Sequence, residues 1–457
     1  MNLSELLAHN QFNTSIWGDE GFSAILSMKS LPEIIKIIIN DTSPPLWNIS
    51  EWAAFQLFGT SEIVIRGLAF LFFVITLVFT FLITKRLWGK KSAIWTTALT
   101  FLNPFFFIYA FEGRMYSIMA AGVAGSMYFF LSGNLIGYVI MTAWALYSHH
   151  FAIFALMIQG VWFIYTFVRG KRTKAKRMLK GFIFAALLYI PWLYPLYLQT
   201  SKVGGGFWLS TPDVNDLLVL LSDYIAEGIK YPNITLPYGD YKLYQLALAV
   251  ALVAYALRKW HKKIRSSTFM MLWFLGPILM AWGASQYFTS IFFNRYLLYT
   301  IPAAMILLGT NRRKVSNIVL VVLIGMFVII DFNYFTKPQK LPFQEMAAYI
   351  DETRSENDFF VNWDAGSHHL WESKYYGFNA PIYVSEGGEL PFYVGTALME
   401  ENDIVRSVPP DTTRIGVITS GSLESVSLTG FEEEGRNEIR GLKFVWLTKN
   451  GEMEILE

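Results

Sequence analysis

The sequence predicts an α-helical polytopic membrane protein of about ten membrane helices, with a small α/β domain at its C-terminal end. Three observations support this fold class. The 457 residues are 54% hydrophobic and only 16% charged, whereas ordinary soluble domains carry about 25% charged residues. Apolar segments approaching the roughly 20 residues of a membrane helix recur along the chain. Residues 336–457 lack such segments and are much more polar.

This composition excludes a soluble or disordered protein. The chain contains no cysteine, which also excludes a disulfide framework and a thiolate metal site.

The first 65 residues are predicted to form an outer loop with two mildly apolar helices, near residues 22–39 and 45–58. The second helix is too short and too polar to span a bilayer, so we expect it at the membrane interface. Residues 66–335 then form the transmembrane bundle. Its ten predicted spans are 66–84, 93–111, 115–131, 135–149, 151–168, 181–199, 243–257, 268–288, 296–310 and 315–335.

The charges of the loops predict the orientation. The loops at 85–91, 169–180, 258–265 and 312–314 together hold 19 basic residues and no acidic one. The positive-inside rule assigns these loops to the cytoplasmic side of the plasma membrane. All 35 acidic residues lie on or near the other side. The loop 169–180 is interpreted as an orientation signal in contact with membrane lipid, because it lacks the aromatic context of a nucleic-acid site.

Residues 336–457 are predicted to form an extracytoplasmic α/β domain, with 21 acidic and 10 basic residues. Strand-like and helix-like stretches alternate in it, which is typical of a small layered domain. The helix-like stretches are PFQEMAAYIDETR and HHLWESKYYGF, and the strand-like ones are DFFVNW, PIYVS, RIGVITS and LKFVWLTK. This domain either recognises the acceptor and caps the site, or only stabilises the protein.

Two acidic stretches precede the bundle. Trp17-Gly18-Asp19-Glu20 offers two adjacent carboxylates before an apolar helix. Asp19 is either a helix N-cap, with Glu20 in the first turn, or a general base beside a second carboxylate. Asp41 begins a stretch with a stiff double proline, and it either caps this turn or faces a cavity.

Two further stretches lie between membrane helices on the outer side. Glu112 and Arg114 either pair with each other, or Arg114 binds phosphate as part of a substrate clamp. Arg295 is the only basic residue of its loop, and Tyr296 follows it. Arg295 either snorkels to the interface or binds a lipid phosphate.

His149 and His150 lie at the same level. Adjacent histidines point in different directions on a helix, which disfavours a shared metal, so we expect packing or a hydrogen bond to substrate. No metal site is predicted. The four outer stretches together supply carboxylates, arginines and aromatic rings, which suit an amphipathic phospholipid-linked sugar.

The sequence resembles the GT-C membrane glycosyltransferases, of the dolichyl-phosphate-mannose–protein mannosyltransferase and aminoarabinose-transferase type. Five stretches carry the resemblance in chain order: WGDEGFSA, DTSPPLW, FEGRMYS, YSHHFA and NRYLLYTIPA. They are similar to the acidic first outer loop, the Pro-Pro loop, a Glu-Ala-Arg-x-Tyr-Ser stretch, a His-containing helix end and an Arg-Tyr-Leu segment. Gly113 stands where the relatives have Ala.

The resemblance implies a GT-C-like bundle and an inverting transfer of sugar from a polyprenyl- or dolichyl-phosphate donor to an acceptor hydroxyl. The acceptor, a lipid, glycan or protein, stays open. Asp19 would be the base and Glu20 would orient it, while Arg114 and Arg295 would hold the lipid phosphate. The resemblance assigns the other matching side chains to substrate binding: Asp41, Glu112, Tyr116, His149, His150 and Tyr296.

No cofactor is required by this reading, although some relatives use a divalent cation. One departure is that relatives have a membrane helix before the acidic pair, whereas residues 1–13 cannot span a bilayer. Either the chain lacks that helix or its start lies further upstream.

Three other classes compete with this reading. A transporter or lipid flippase would place its charged residues near the bilayer midplane, between repeated halves. A noncatalytic membrane scaffold would have no shared cavity around Asp19, Arg114 and Arg295. A polysaccharide ligase or polymerase would be an enzyme of another fold.

Overall fold

The computed structural model describes residues 10–226, 263–310, 314–337, 340–363, 366–384 and 390–450. The predicted span 243–257 lies outside the described residues. So do residues 1–9, on which the prediction of a missing first helix largely depends.

Three short helices precede the bundle: α1 (Gly18–Ser27), α2 (Leu31–Ile38) and α3 (Leu46–Phe58). The single helix predicted for 22–39 is therefore two helices. The chain turns at Ser30, whose backbone N–H donates to the carboxylate of Glu33 at 3.0 Å. This hydrogen bond belongs to a capping box at the start of α2, so a new helix begins there and α1 does not continue.

The bundle is built from twelve labelled helices in the described residues. These are α4 (Glu62–Trp88), α5 (Lys90–Phe101), α6 (Pro104–Tyr109), α7 (Tyr116–Ser132), α8 (Leu135–Ser148), α9 (Ala152–Val168), α10 (Arg172–Tyr189), α11 (Leu193–Gly204), α12 (Val214–Ala226), α13 (Ile264–Tyr287), α14 (Ile301–Gly309) and α15 (Lys314–Thr336).

Three helical stretches among the described residues are long and apolar enough to cross a membrane: Glu62–Trp88, Arg172–Gly204 and Ile264–Tyr287. Shorter apolar helices include α7, α8 and α9. Large apolar side chains on α9 and α10, such as Ile164 and Leu187, are half exposed, as expected of surfaces that face lipid. The predicted total of about ten spans stays a prediction.

Several predicted spans are interrupted. The span 93–111 breaks at Asn103, whose side chain accepts a hydrogen bond from the backbone N–H of Phe106 at 2.9 Å and begins α6. The span 296–310 begins as a 3-10 helix, Asn294–Thr300, before α14. This tighter segment carries Arg295 and Tyr296.

The C-terminal part forms a six-stranded sheet with helices α16 (Phe343–Thr353) and α17 (Gly366–Tyr375). The strands are β1 (Phe359–Asn362), β2 (Ile382–Tyr383), β3 (Ile404–Val405), β4 (Arg414–Thr419), β5 (Phe431–Ile439) and β6 (Leu442–Lys449). Their order is β3-β2-β1-β4-β6-β5, parallel from β3 to β4 and antiparallel from β4 to β5. Both predicted helices and all four predicted strands are present.

The prediction missed β3 and β5. β3 is only two residues long. β5 is an edge strand with three consecutive glutamates, 432–434, which are exposed. Charged side chains are disfavoured in strands but are typical of protected edges. The β5–β6 hairpin turns at Arg440 and Gly441, both at positive φ.

The C-terminal sheet and its two helices, which correspond to the predicted outer domain, pack directly onto α1. A Cβ at Gly21 would lie 2.9 Å from the carbonyl carbon of Trp371, and one at Gly18 would overlap His368. The ring of Trp17 also stacks on that of His368 at 5.6 Å. The two glycines are therefore required where α17 crosses α1.

A buried ion cluster joins α1, α4 and the outer domain. One carboxylate oxygen of Glu20 lies 3.0 Å from Arg66 and 2.7 Å from Lys340. The other accepts the backbone N–H of Gly113 at 2.8 Å. Arg66 also donates to the backbone carbonyls of Thr14 and Ser15. Every polar group of this cluster thus has a partner in the interior, as buried charges require.

We predict that Glu20→Gln destabilises the protein by about 3 to 5 kcal/mol, because Arg66 loses its buried counter-charge. Glu33→Gln is the matched control, since Glu33 is exposed and bonds only its own helix start. The apparent free energy of unfolding in detergent measures the effect. Equal losses for the two variants would contradict the structural role of the cluster.

Candidate active site

A cavity of about 680 Å³ lies between the bundle and the outer domain. Its walls come from α1, the corner between α8 and α9, α11, the 3-10 helix 294–300 and the turn at 392–394 of the outer domain. Of the residues predicted for the site, those that line it are Asp19, Arg114, Tyr116, His149, His150, Arg295 and Tyr296. Residues far apart in the sequence therefore share one cavity.

Asp19 and Arg295 form an ion pair at the floor of the cavity. A carboxylate oxygen of Asp19 lies 3.1 Å from a guanidinium nitrogen of Arg295. Their side chains are 24% and 15% exposed, so both charges are screened from water but reach the cavity. Glu112 lies on the other side of Arg295, with 3.7 Å between the nearest charged atoms.

Aromatic rings surround the guanidinium of Arg295. Its central carbon lies 5.5 Å from the ring centre of Trp17, 5.3 Å from that of Tyr116 and 4.9 Å from that of Phe293. Such contacts stabilise a cation electrostatically where water is scarce. The Nε atom of Arg295 is buried and has no hydrogen-bond partner among the described residues.

Arg114 does not pair with Glu112. Its guanidinium donates to the backbone carbonyl of Asp19 at 3.2 Å and to the hydroxyl of Ser23. Its Nε atom is likewise buried, and no described residue forms a hydrogen bond with it. The pairing alternative for Glu112 and Arg114 is therefore wrong, and Arg114 instead holds the first turn of α1.

The N-cap alternative for Asp19 is wrong as well. Helix α1 begins at Gly18 with Trp17 as its N-cap, which puts Asp19 and Glu20 in the first turn. Burial would raise the pKa of Asp19, but the guanidinium groups of Arg295 and Arg114 outweigh it and lower the pKa. Asp19 is therefore an ionised carboxylate at neutral pH.

Glu20 faces away from the cavity, into the ion cluster with Arg66 and Lys340. Burial would raise its pKa, but these two cations outweigh it and lower the pKa of Glu20 to about 2. Glu20 is not among the residues that line the cavity, so its carboxylate does not reach a substrate there. Its geometry fits the predicted orienting role and not a second base.

The two histidines hold different positions. His150 bonds the side chain of Gln199 at 2.8 Å, and Gln199 donates to the backbone carbonyls of Ile38 and Ser43. His149 lies against the ring of Tyr296, 4.9 Å between ring centres. The expectation that both histidines lie on a helix is wrong, because α8 ends at Ser148 and α9 begins at Ala152. Their side chains nevertheless contact different partners. Among the described residues there is no group of three His, Asp or Glu side chains that could hold a metal ion.

Asp41 is buried beside the cavity, and its neighbour Thr42 lines the wall instead. The hydroxyl of Ser43 donates to Asp41 at 3.1 Å, which fits the turn-capping alternative. Burial raises the pKa of Asp41. Burial also raises the pKa of Glu112 to about 7, against the opposing effect of Arg295. A substantial fraction of Glu112 is therefore protonated near neutral pH.

The departure at Gly113 has a local cause. A Cβ at this position would lie 2.2 Å from a side-chain carbon of Ile65 and 3.4 Å from a carboxylate oxygen of Glu20. The close approach lets the backbone N–H of Gly113 reach Glu20. The larger residue of the relatives would need a different neighbour at position 65.

Sequence reasoning missed a polar network below α1. Glu51 accepts a hydrogen bond from the hydroxyl of Ser27 at 2.7 Å, and Asn48 donates to Ser27 and to the backbone carbonyl of Ser23. The signal was present in the helical spacing, because residues 48 and 51 share a face of α3 and residues 23 and 27 share a face of α1. The network supports Ser23, to which Arg114 donates.

Sequence reasoning also missed an aromatic rim. Phe207 and Trp208 follow α11, and Tyr393 reaches the cavity from the outer domain. The ring of Phe207 lies 6.0 Å from that of Tyr393. These rings are separated by more than 180 positions, and no local pattern links them.

The fold is similar to the folds of proteins of known structure. No family model and no curated protein sequence matches the chain. The structure is similar to that of ArnT from Cupriavidus metallidurans in the apo state, with a TM-score of 0.65 and 13% identity over 97% of this chain and 96% of that chain. The same protein bound to undecaprenyl phosphate matches with a TM-score of 0.63 at 12% identity, over 97% of this chain and 96% of that one.

A third match is the archaeal oligosaccharyltransferase AglB from Archaeoglobus fulgidus, in complex with an inhibitory peptide and a dolichol-phosphate. Its TM-score is 0.50 and its identity 14%, over 91% of this chain and 69% of that chain. The chain therefore shares the fold of ArnT and AglB, and this agrees with the GT-C-like fold that the resemblance of the five sequence stretches implied.

We predict that Glu51 makes stability depend on pH. Burial raises the pKa of Glu51 to about 8, so the native state keeps a proton that the unfolded chain releases above its ordinary value of 4.5. Stability should then fall as the pH rises from about 4.5 to about 8, by an amount on the order of a few kcal/mol.

Glu51→Gln should flatten this dependence, because an amide stays neutral. Thermal unfolding in detergent between about pH 5 and about pH 9 measures it, with Glu352→Gln at an exposed position as the control. An unchanged slope in Glu51→Gln would refute the assignment.

Proposed function

We propose that this protein transfers a sugar from a polyprenyl- or dolichyl-phosphate donor to an acceptor hydroxyl, with inversion at the anomeric carbon. The observation that carries the proposal is the shared cavity, in which an ionised Asp19 lies beside Arg114 and Arg295. The GT-C fold supports it, since one structure of this fold holds undecaprenyl phosphate and another dolichol-phosphate.

The cavity suits an amphipathic donor. One wall is apolar, with Ile153, Phe154 and Val203 from α9 and α11. Ile153 is 47% exposed, so this wall reaches the surface that we assign to lipid. The prenyl chain would lie along this wall, and the phosphate would then meet the guanidinium groups of Arg114 and Arg295, which line the same cavity.

Asp19, the two arginines and the two substrates account for every bond, proton and charge that changes in the proposed reaction. Asp19 takes the proton of the acceptor hydroxyl as the oxygen attacks the anomeric carbon. A new carbon–oxygen bond forms on one face of the sugar, and the bond from the anomeric carbon to the phosphate oxygen breaks on the other. Polyprenyl phosphate leaves with an additional negative charge, which the arginines stabilise.

Tyr116, Tyr296 and His149 are proposed to line the donor sugar. Tyr116 and Tyr296 stack with 6.2 Å between ring centres and His149 packs beside Tyr296. Aromatic faces of this kind pack against the apolar face of a sugar ring. Asp41 would act by holding the surrounding loop, as its hydrogen bond from Ser43 indicates. His150 lines the cavity beside its partner Gln199 and stays a candidate for contact with substrate.

The acceptor is proposed to enter over the aromatic rim formed by Phe207, Trp208 and Tyr393. The rim lies between the bundle and the outer domain, and Trp208 and Tyr393 are 46% and 40% exposed. We assign the rim and residues 336–457 to the extracytoplasmic side of the plasma membrane and the basic loops to the cytoplasm. We likewise propose the division into residues 1–65, 66–335 and 336–457.

The shared cavity also bears on the competing classes. A noncatalytic scaffold requires no such convergence, and its defining expectation of separate environments for Asp19, Arg114 and Arg295 does not hold. A transporter would carry its charges between repeated halves at midplane, whereas these groups lie at helix ends. Transferase chemistry is therefore the function we favour.

We predict that Asp19→Asn lowers the release of polyprenyl phosphate by a factor of about 10² to 10⁴, the usual contribution of a general base. Purified protein is incubated with a panel of polyprenyl-phosphate sugars and a mixed acceptor extract. Asp351→Asn, at an exposed site of the outer domain, is the matched control.

Release that survives Asp19→Asn would remove Asp19 as the base but keep the enzyme class. No release from folded wild-type protein with any donor would count against the proposed function itself.

We predict that Arg295→Gln and Arg114→Gln raise the KM for the lipid-phosphate donor about 10-fold or more, since each loses a charged hydrogen bond to phosphate. Arg354→Gln, on the exposed surface, should leave KM unchanged. Initial rates against donor concentration measure it. Unchanged KM in both site variants would disprove phosphate binding by these arginines.

A further inference from the structure

A second cavity lies at the basic end of the bundle. It has a volume of about 370 Å³ and is enclosed by the end of α4, the turn from α7 to α8 and the first turns of α10. None of the residues predicted for the sugar-transfer site lines it. The cavity is thus a separate place in the molecule.

Three cations from two distant helices converge on this cavity: Arg86 from α4, and Lys174 and Arg177 from α10. Arg177 is held by a long hydrogen bond to the backbone carbonyl of Gly133, 3.4 Å from donor to acceptor. No Asp or Glu lines the cavity among the described residues. The positive charge at this point therefore has no neutralising partner there.

The three cations repel one another across this small space. An anion placed there would relieve their mutual repulsion.

One side of the cavity is apolar, although Ser132, Asn134 and Thr173 also line it. Phe129, Phe130, Leu135 and Met178 form the wall on the bundle side. A soluble anion would gain no binding energy from an apolar wall, whereas a phospholipid presents a phosphate to the cations and acyl chains to the wall. Basic cavities between membrane helices at this level are typical of anionic lipid sites.

We propose that this cavity binds the phosphate of an anionic phospholipid headgroup, with Arg86, Lys174 and Arg177 as its ligands and the apolar wall against the first part of an acyl chain. This goes beyond a diffuse attraction of basic loops to the membrane surface, because it predicts a discrete, saturable site. The proposal does not depend on the sugar-transfer reaction.

The test uses the full-length protein in nanodiscs of phosphatidylcholine with a minor fraction of phosphatidylglycerol. Native mass spectrometry counts the phosphatidylglycerol molecules that stay bound after release. The pocket variant is Arg86→Gln/Lys174→Gln/Arg177→Gln. The control variant, Lys90→Gln/Lys91→Gln/Lys176→Gln, removes the same charge from exposed residues of the same end that do not line the cavity.

We expect wild type and the control variant to retain phosphatidylglycerol over phosphatidylcholine, and the pocket variant to lose affinity about 10-fold or more. Thermal unfolding confirms that all three proteins are folded, and Lys174→Arg should keep the affinity if the pocket variant is unstable. Equal losses in both triple variants would show diffuse attraction and overturn the proposal. Displacement of the lipid by inorganic phosphate would also overturn it, because the ligand would then be a soluble anion.

Discussion

The buried carboxylate of Glu20 is the contact on which the rest of the site depends. It joins three parts of the chain that are distant in sequence: the first turn of α1, Arg66 at the start of α4 and Lys340 at the start of the outer domain. Adjacent residues on a helix point about 100° apart. Because Glu20 is fixed toward the interior, Asp19 must point elsewhere, and it points into the cavity. A change in the cluster would therefore rotate the proposed base as well as loosen the fold.

The same geometry gives the outer domain a part in the site. Lys340 completes the ion cluster, and Trp371 and His368 pack against the glycines of α1. His368 stacks on Trp17, and Trp17 in turn lies against the guanidinium of Arg295. The docked domain thus fixes both the carboxylate and the arginine. The sequence left two alternatives for this domain, a stabilising role and a role in the site. Both roles depend on the same contacts.

Sequence reasoning predicted the features that depend on local residue patterns and on the topology of the chain. The loop charges placed Asp19, Arg114 and Arg295 on one side, and the motif resemblance suggested that they meet. Partners across the fold were not predictable. Arg66 was treated as part of an apolar span, although a charge there needs a buried partner. The pairing of Glu112 with Arg295 instead of Arg114 depends on a turn in which the N–H of Arg114 donates to the carbonyl of Glu112. β5 was missed because glutamates have a low intrinsic propensity for strands. They occur in this edge strand because charged side chains prevent it from pairing with a further strand.

The charges of the cavity suit a reaction in which negative charge moves from one group to another while the total charge stays the same. Asp19 carries one negative charge and Arg114 and Arg295 carry two positive charges, and Glu112 adds no charge when it is protonated, which burial favours. A lipid phosphodiester adds one negative charge and makes the sum zero. During the proposed reaction Asp19 becomes neutral as it takes the proton, and the phosphate gains the second negative charge as it leaves. Arg295 already contacts Asp19 at 3.1 Å. The same guanidinium can therefore stabilise the negative charge first on the base and then on the leaving group. A site of low polarity disfavours net charge strongly, and this arrangement lets the chemistry proceed without creating any.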